Sequence, residues 1–99
     1  MATKFSDFMR EVEEEAKAEG PEAVEQLKAF RAHFRLGREL SYARRRLRLT
    51  QKQVAKRADI DQAEVSDIER GMANPTLNTL NAVVSAVGLE IALKKPKSA

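Results

Sequence analysis

Apolar residues recur at helical spacing along most of the chain. Phe5, Phe8, Met9, Val12 and Ala16 form one stripe, while Glu13, Glu14, Glu15 and Lys17 point away from it. Thr3 or Ser6 can open this first helix. Gly20-Pro21 breaks it, and Pro21 is well placed as the first residue of a second. From Glu22 a longer pattern runs through Val24, Leu27, Phe30 and Phe34 to Leu36, Leu40, Ala43 and Leu47, with Gly37 in its middle as a kink or boundary. Two short patterns follow. Thr50 caps residues 51–58, whose Val54, Ala55 and Ala58 share a face, and Asp59-Ile60-Asp61 makes a turn. Asp61 then caps residues 62–70, which bury Val65 and Ile68 and stop at Gly71. Asn74-Pro75-Thr76 turns the chain into a closing helix with Leu77, Leu80, Val83, Val84 and Val87 on its apolar face, ended by Gly88. Residues 89–94 alternate large apolar with smaller or charged side chains, a strand pattern. An isolated short strand is unstable, so it lies on the core or pairs with its twin in a second subunit. The expected fold class is all-α, five or six helices with a short C-terminal β-strand.

Two short helices joined by a turn of this length are the helix-turn-helix signature, in which the second helix enters the DNA major groove. LTQKQVA, then AEVSDIERG, then NPTLNTL resemble the lambda-repressor/Cro-like (XRE) helix-turn-helix family over roughly residues 36–88. Two positions depart from its pattern. Asp59 stands where the family usually has Gly, and Asp61 where Ser is common. Asp is a competent cap, whereas Asp59 must adopt a turn conformation that Gly reaches more easily. The resemblance implies a lambda-repressor-like domain at 36–88, preceded by an extra helical arm at 1–35 and followed by a strand and basic tail at 89–99.

With Val65 and Ile68 inside, the outward face of the second motif helix holds Gln62, Ala63, Ser66, Asp67 and Arg70. Gln62 is the best base reader, because glutamine can bond adenine N6 and N7 together. By resemblance, bases are also read from Ala63 and Asp67, the first against a thymine methyl and the second accepting from cytosine N4. Glu64 and Asp67 bring acidic charge towards phosphates: they read cytosine, lie off the contact line, or hold affinity down. Gln51 opens the first motif helix, where free backbone N–H groups can hold a phosphate, and the family uses its matching glutamine that way. Lys52, Lys56, Arg70 and Asn74 are further phosphate anchors. Arg45, Arg46 and Arg48 form a basic cluster, which is either a solvated face or part of the contact. The resemblance makes Arg44 and Glu69 an ion pair inside the domain rather than base readers.

Composition narrows the alternatives. The chain has 99 residues, 42% of them hydrophobic and only 5% aromatic, so one aliphatic core or one core plus an appendage is expected. Cysteine is absent, which excludes a disulfide scaffold, a thiolate zinc site and a thiol nucleophile. His33 stands without a nucleophile pattern around it, and neither a glycine-rich phosphate loop nor a ligand cluster occurs. No enzyme, cofactor or metal is expected. There is no long apolar run and no signal-peptide core, so no membrane span is expected, and the resemblance implies a place in the bacterial cytoplasm, at the nucleoid when an operator is bound.

The net charge of +3 conceals a polarity: residues 1–25 carry eight acids against three bases, a net of −5, and the remainder carries 15 bases against seven acids, a net of +8. A basic body fits phosphate binding. An acidic amphipathic arm does not, and its stripes either cover the core, pair the arms of a dimer, or dock on another protein. An XRE domain with such an arm resembles the HigA-like antitoxins, which repress their own operon and neutralise a basic ribonuclease toxin of the HigB or RelE type. That resemblance makes Phe5, Phe8, Met9, Val12, Val24, Leu27 and Phe30 the toxin anchors. Leu89, Ile91 and Leu93 are the dimerisation candidates, since reading a palindromic operator requires a homodimer. The expected function is antitoxin and autoregulatory repressor. The alternatives are a solitary XRE regulator without a toxin and a non-DNA-binding adaptor.

Overall fold

The structure is a computed structural model and describes residues 5–97, with the side chains of Phe5 and Ser6 outside the description, as is Thr3. Five helices are present: α1 Phe5–Glu19, α2 Pro21–Arg46, α3 Gln51–Ala58, α4 Gln62–Glu69 and α5 Leu77–Ala86. The chain forms two compact units, one up to residue 32 and one from residue 33 onwards.

The first unit is a helical hairpin. Gly20, at φ 124°, provides the break, and Pro21 begins α2 as its fixed φ favours. Met9 and Ala16 are buried, one heptad apart on α1, and Glu13 accepts a 2.8 Å ion pair from Arg31 of α2. The Arg31 hydrogen bond is the main cause that holds the Glu13 carboxyl below its ordinary pKa.

In the second unit, the last part of α2 packs with α3, α4 and α5 around an aliphatic core. Leu40, Val54, Val65 and Val83 are its largest fully buried side chains, joined by Ala55, Ile68, Val84 and Val87. Four helices end in the same way. A residue past the last turn takes left-handed φ, and its own N–H and that of the next residue bond back into that turn. At α4 these bonds are Gly71 N to Ile68 O (3.0 Å) and Met72 N to Asp67 O (2.8 Å). At α5 they are Gly88 N to Ser85 O and Leu89 N to Val84 O, both 3.0 Å. Glycine fills the left-handed position in these two cases. In α2 and α3 it is filled by Arg48 and Asp59, both at φ 57°. The Asp59 turn conformation is thus one that the residue adopts, at a cost glycine would not incur.

Three expectations are corrected. No strand occurs among the described residues: 89–97 have no regular structure, and Leu89, Ile91 and Leu93 are exposed, Leu93 almost wholly. The alternating pattern alone cannot make a strand in a chain with no neighbouring strand to bond. Gly37 is not a boundary, since α2 runs through it unbroken. A Cβ there would lie 2.5 Å from the carbonyl oxygens of both Ile68 and Glu69, so this glycine lets α2 ride directly on the end of α4. Leu77, expected on the apolar face of α5, is 72% exposed, because it occupies the first turn beyond the reach of the core.

Candidate nucleic-acid interface

α3, the turn and α4 form the helix-turn-helix. Thr50 caps α3 by accepting from Gln53 N (3.0 Å), and the Gln53 side chain accepts from Thr50 N (2.8 Å). This reciprocal box fixes the angle at which the chain enters the motif. Asp61 precedes α4 with extended backbone, but its side chain makes no capping bond, so it occupies the cap position without closing it. Thr76 caps α5 through Thr79 N at 3.2 Å.

α4 presents opposite faces to core and solvent. Val65 is 0% and Ile68 4% exposed, while Gln62 and Ala63 stand exposed at the helix's front. Three residues of this outward face come together by helical spacing: Ala63, Asp67 and Arg70. The Arg70 guanidinium donates through Nη2 to Asp67 Oδ1. Ser66, half-buried, lies beside them, and Glu64 is half-buried on the flank.

Behind this face lies a polar clasp. Arg44 donates through Nε to Glu69 Oε2 (2.7 Å) and through Nη2 to Oε1 (2.9 Å), and its Nη1 reaches Leu49 O (2.9 Å). Gln51 Nε2 adds a bond to Glu69 Oε1 at 3.2 Å. The two charged side chains are 12% and 8% exposed, a fork-to-fork geometry largely shielded from water. Burial opposes ionisation of Glu69. The hydrogen bonds from Arg44, Gln51 and Ser41 and the Arg44 charge outweigh it, so the carboxyl is held below its ordinary pKa. The bond to Glu69 raises Arg44 against a smaller burial effect.

The sequence brought Arg44 and Glu69 together only through resemblance. Patterning did not indicate Gln51 as their third member. One of its amide hydrogens is engaged by Glu69, which leaves the other to donate elsewhere. Lys52 and Lys56 are exposed one turn apart on α3, and Asn74 is exposed after α4. Arg45, Arg46 and Arg48 are exposed at the end of α2, and the Arg46 guanidinium lies 5.8 Å from the Tyr42 ring centroid. Arg57 is not marked by the sequence patterns; its Nη1 donates to Ala86 O at 3.3 Å and ties α3 to the end of α5. Only its position after Lys56 in a helix free of acids distinguishes it in the sequence.

The arm residues differ in exposure. Met9 is buried, Val12, Val24 and Leu27 are half-buried, and Phe8 and Phe30 are 54% and 40% exposed; the Phe5 side chain lies outside the described residues. No group of three or more potential metal ligands occurs among the described residues, and no described helix is long and apolar enough to cross a membrane.

The similarities to known proteins concern this interface. The helix-turn-helix family profile matches residues 40–93, the last part of α2, the motif and α5. Over 56 residues the chain is 38% identical to the immunity repressor protein of Bacillus phage phi105, an alignment that takes in 57% of this chain and 39% of the repressor. The chain therefore spans about two-fifths of that repressor's length. No solved structure matches the chain. With more than half of its length inside the family profile, and with Gln62 exposed opposite a buried Val65 and Ile68, the chain belongs to the lambda-repressor/Cro-like helix-turn-helix family.

Proposed function

We propose that this protein is a sequence-specific DNA-binding transcriptional repressor that acts without catalysis and reads a two-fold operator as a dimer. The observation that carries this reading is the face assignment of α4: the amide of Gln62 is free for a base edge while Val65 and Ile68 hold the helix to the core. The phage immunity repressor supports the repressor role by its name alone. Gln62 is the principal base reader, with Ala63 beside it. Gln51, Lys52, Lys56 and Asn74 hold phosphates. The twin half-sites lie about one helical turn apart, roughly 34–36 Å, which requires two copies. Leu89, Ile91 and Leu93, exposed on the tail, are the residues we assign to the contact between them.

The solitary regulator takes precedence over the antitoxin. The toxin-neutralising role rests on the resemblance to HigA-like antitoxins, on the net charge of −5 over residues 1–25 and on the arm's apolar stripes. Met9 and Ala16 of α1 are already buried, and no similarity found speaks for a toxin partner. Co-purification with a small basic ribonuclease that is lost on removing residues 1–35 would restore the antitoxin role.

The test is selection of a site from a random duplex library by the full-length protein, followed by anisotropy titration at several salt concentrations. A repressor enriches a palindrome, and log K falls linearly with log salt by about 0.9 for each phosphate neutralised. Lys52→Ala should flatten that slope and weaken all sequences alike. Gln62→Ala should leave the slope and cost roughly 1–3 kcal/mol of discrimination at one base pair. Enrichment of no sequence would leave the adaptor as the surviving alternative.

A further inference from the structure

The pair at the second turn of α4 assigns a role that the helix's acidic charge otherwise obscures. We infer that Arg70 reads a guanine in the operator and that Asp67 is its positioning residue, not an independent reader of cytosine. This rests on the reading of α4 as the recognition helix.

The geometry supplies the argument. Helical side chains lean towards the helix N-terminus, and on α4 that is the end that enters a groove. Arg70, just past the last turn, therefore sends its guanidinium forward along the stripe that holds Asp67 and Ala63. Asp67 meets it three residues upstream, and its Oδ1 accepts from Nη2. Ala63, one turn further forward, offers only a methyl, so nothing on the stripe blocks the guanidinium's remaining edge. Arginine has five N–H donors in a planar fork. One is given to Asp67, and the others remain for a bidentate contact to guanine O6 and N7, the commonest specific contact in the major groove.

The solvent-exposed pair is worth little to folding, since both partners keep much of their hydration: the side chains are 66% and 45% exposed. Its value lies in orientation. A free arginine has high rotamer entropy, and a carboxylate that fixes its plane before DNA arrives leaves less to lose on binding. The same carboxylate, once bonded to a guanidinium, no longer presents an uncompensated negative charge to the phosphates.

The experiment uses the full chain and the duplex enriched by the wild type from a random library. Arg70→Ala, Asp67→Ala, Arg70→Lys and the double variant are titrated against that site and against its single-base-pair substitutions. Both residues are exposed, so melting temperatures should match the wild type and any loss reports on recognition. Arg70→Ala should lose roughly 5- to 150-fold of discrimination at one G·C pair, the fold-change of one bidentate contact. Asp67→Ala should lose preference at the same pair, the double variant should lose no more than Arg70→Ala, and Arg70→Lys should not restore it. Three results would overturn the assignment. Arg70→Ala could weaken all sequences equally with a flatter salt slope, which would make Arg70 a phosphate anchor. Asp67→Ala could abolish preference at a pair that Arg70→Ala leaves intact, which would make Asp67 a cytosine reader. The wild type could show no sequence preference, in which case the proposed repressor function fails with it.

Discussion

Replacing Gly37 by alanine provides the sharpest test of how α2 supports α4, because two physical effects predict opposite signs. A glycine in an ordinary helix interior is destabilising by about 1 kcal/mol relative to alanine, so the substitution would normally stabilise. Here the new Cβ would fall 2.5 Å from the carbonyl oxygens of Ile68 and Glu69 and 2.8 Å from the Glu69 carbonyl carbon. Comfortable carbon–oxygen contacts are about 3.3–3.6 Å, so the helices would have to part by most of an ångström. The opposing atoms are backbone, and they cannot turn aside as a side chain would. The Ile68 carbonyl also accepts from Gly71 N at 3.0 Å, and the Glu69 side chain is clasped by Arg44, so displacement strains both. Overpacking typically costs 1–3 kcal/mol, and backbone contact places this case at the upper end. After the propensity gain is subtracted, a net loss of about 2 kcal/mol remains. For a unit of this size each kcal/mol moves Tm by roughly 4–8 °C, so thermal melting followed by circular dichroism should show a fall of about 10 °C. Operator affinity should fall as well, because the end of α4 is what moves. A Tm that rises by the few degrees expected of a free helical glycine would refute the close packing of α2 on α4.

Other perturbations address the clasp, the turns and the tail. Glu69→Ala should cost roughly 3–5 kcal/mol in a urea or thermal melt, because Arg44 is left without its partner, and DNA binding should fall with it; unchanged Tm with lost binding would make Glu69 a contact residue instead. Because the folded-state pKa of Glu69 lies below its ordinary value of 4.5, its contribution to stability is fully present above that value and is lost as pH falls through the lower, folded-state pKa. A Tm profile across this acid range should slope more steeply for wild type than for Glu69→Gln. Arg48→Gly should raise stability by about 1 kcal/mol and Asp59→Gly by less, since both residues hold left-handed backbone that Asp tolerates better than Arg; a loss in either variant would show that its side chain contributes more than its backbone costs. Removing residues 89–99 should give a monomer in light scattering, and a dimer that persists would place the contact between copies elsewhere.

The sequence announced those features that depend on local chemistry. Thr50, Thr76, Gly71 and Gly88 mark helix ends because caps and left-handed turns need particular residues, and periodicity placed Val54, Val65 and Ile68 inside because burial follows the helical repeat. Features that depend on another segment's position were illegible. Gly37 looks like a break from its own neighbours, and only the end of α4 lying across it reveals why a side chain is excluded. Gln51 looks like a phosphate anchor, and only the fold brings Glu69 to its amide. Residues 89–94 fail as a strand for the converse reason: alternation prepares a surface for pairing, but the partner strand must come from elsewhere. Two outward-facing residues that patterning treats separately, Asp67 and Arg70, are paired in the structure, a relation their three-residue spacing could have suggested.

The charge distribution now separates attraction from discrimination. α4 contains Glu64, Asp67 and Glu69 and no base, which would make a poor approach to phosphates if all three charges were open. Two are not. Glu69 is turned inward to Arg44, and Asp67 is covered by Arg70. Glu64, half-buried on the flank, is the one acid of α4 without an ion pair among the described residues. α3, by contrast, holds Lys52, Lys56 and Arg57 without an acid, and its free N-terminal amides add a favourable dipole for a phosphate. On the proposed function, the first motif helix supplies the sequence-independent pull. The second can afford a nearly neutral surface, on which a few hydrogen-bonding groups distinguish bases without a strong field that would hold the protein to any duplex. The Gln51–Glu69 hydrogen bond joins the two helices, so on that reading a phosphate held at α3 would set the depth at which Gln62 meets a base.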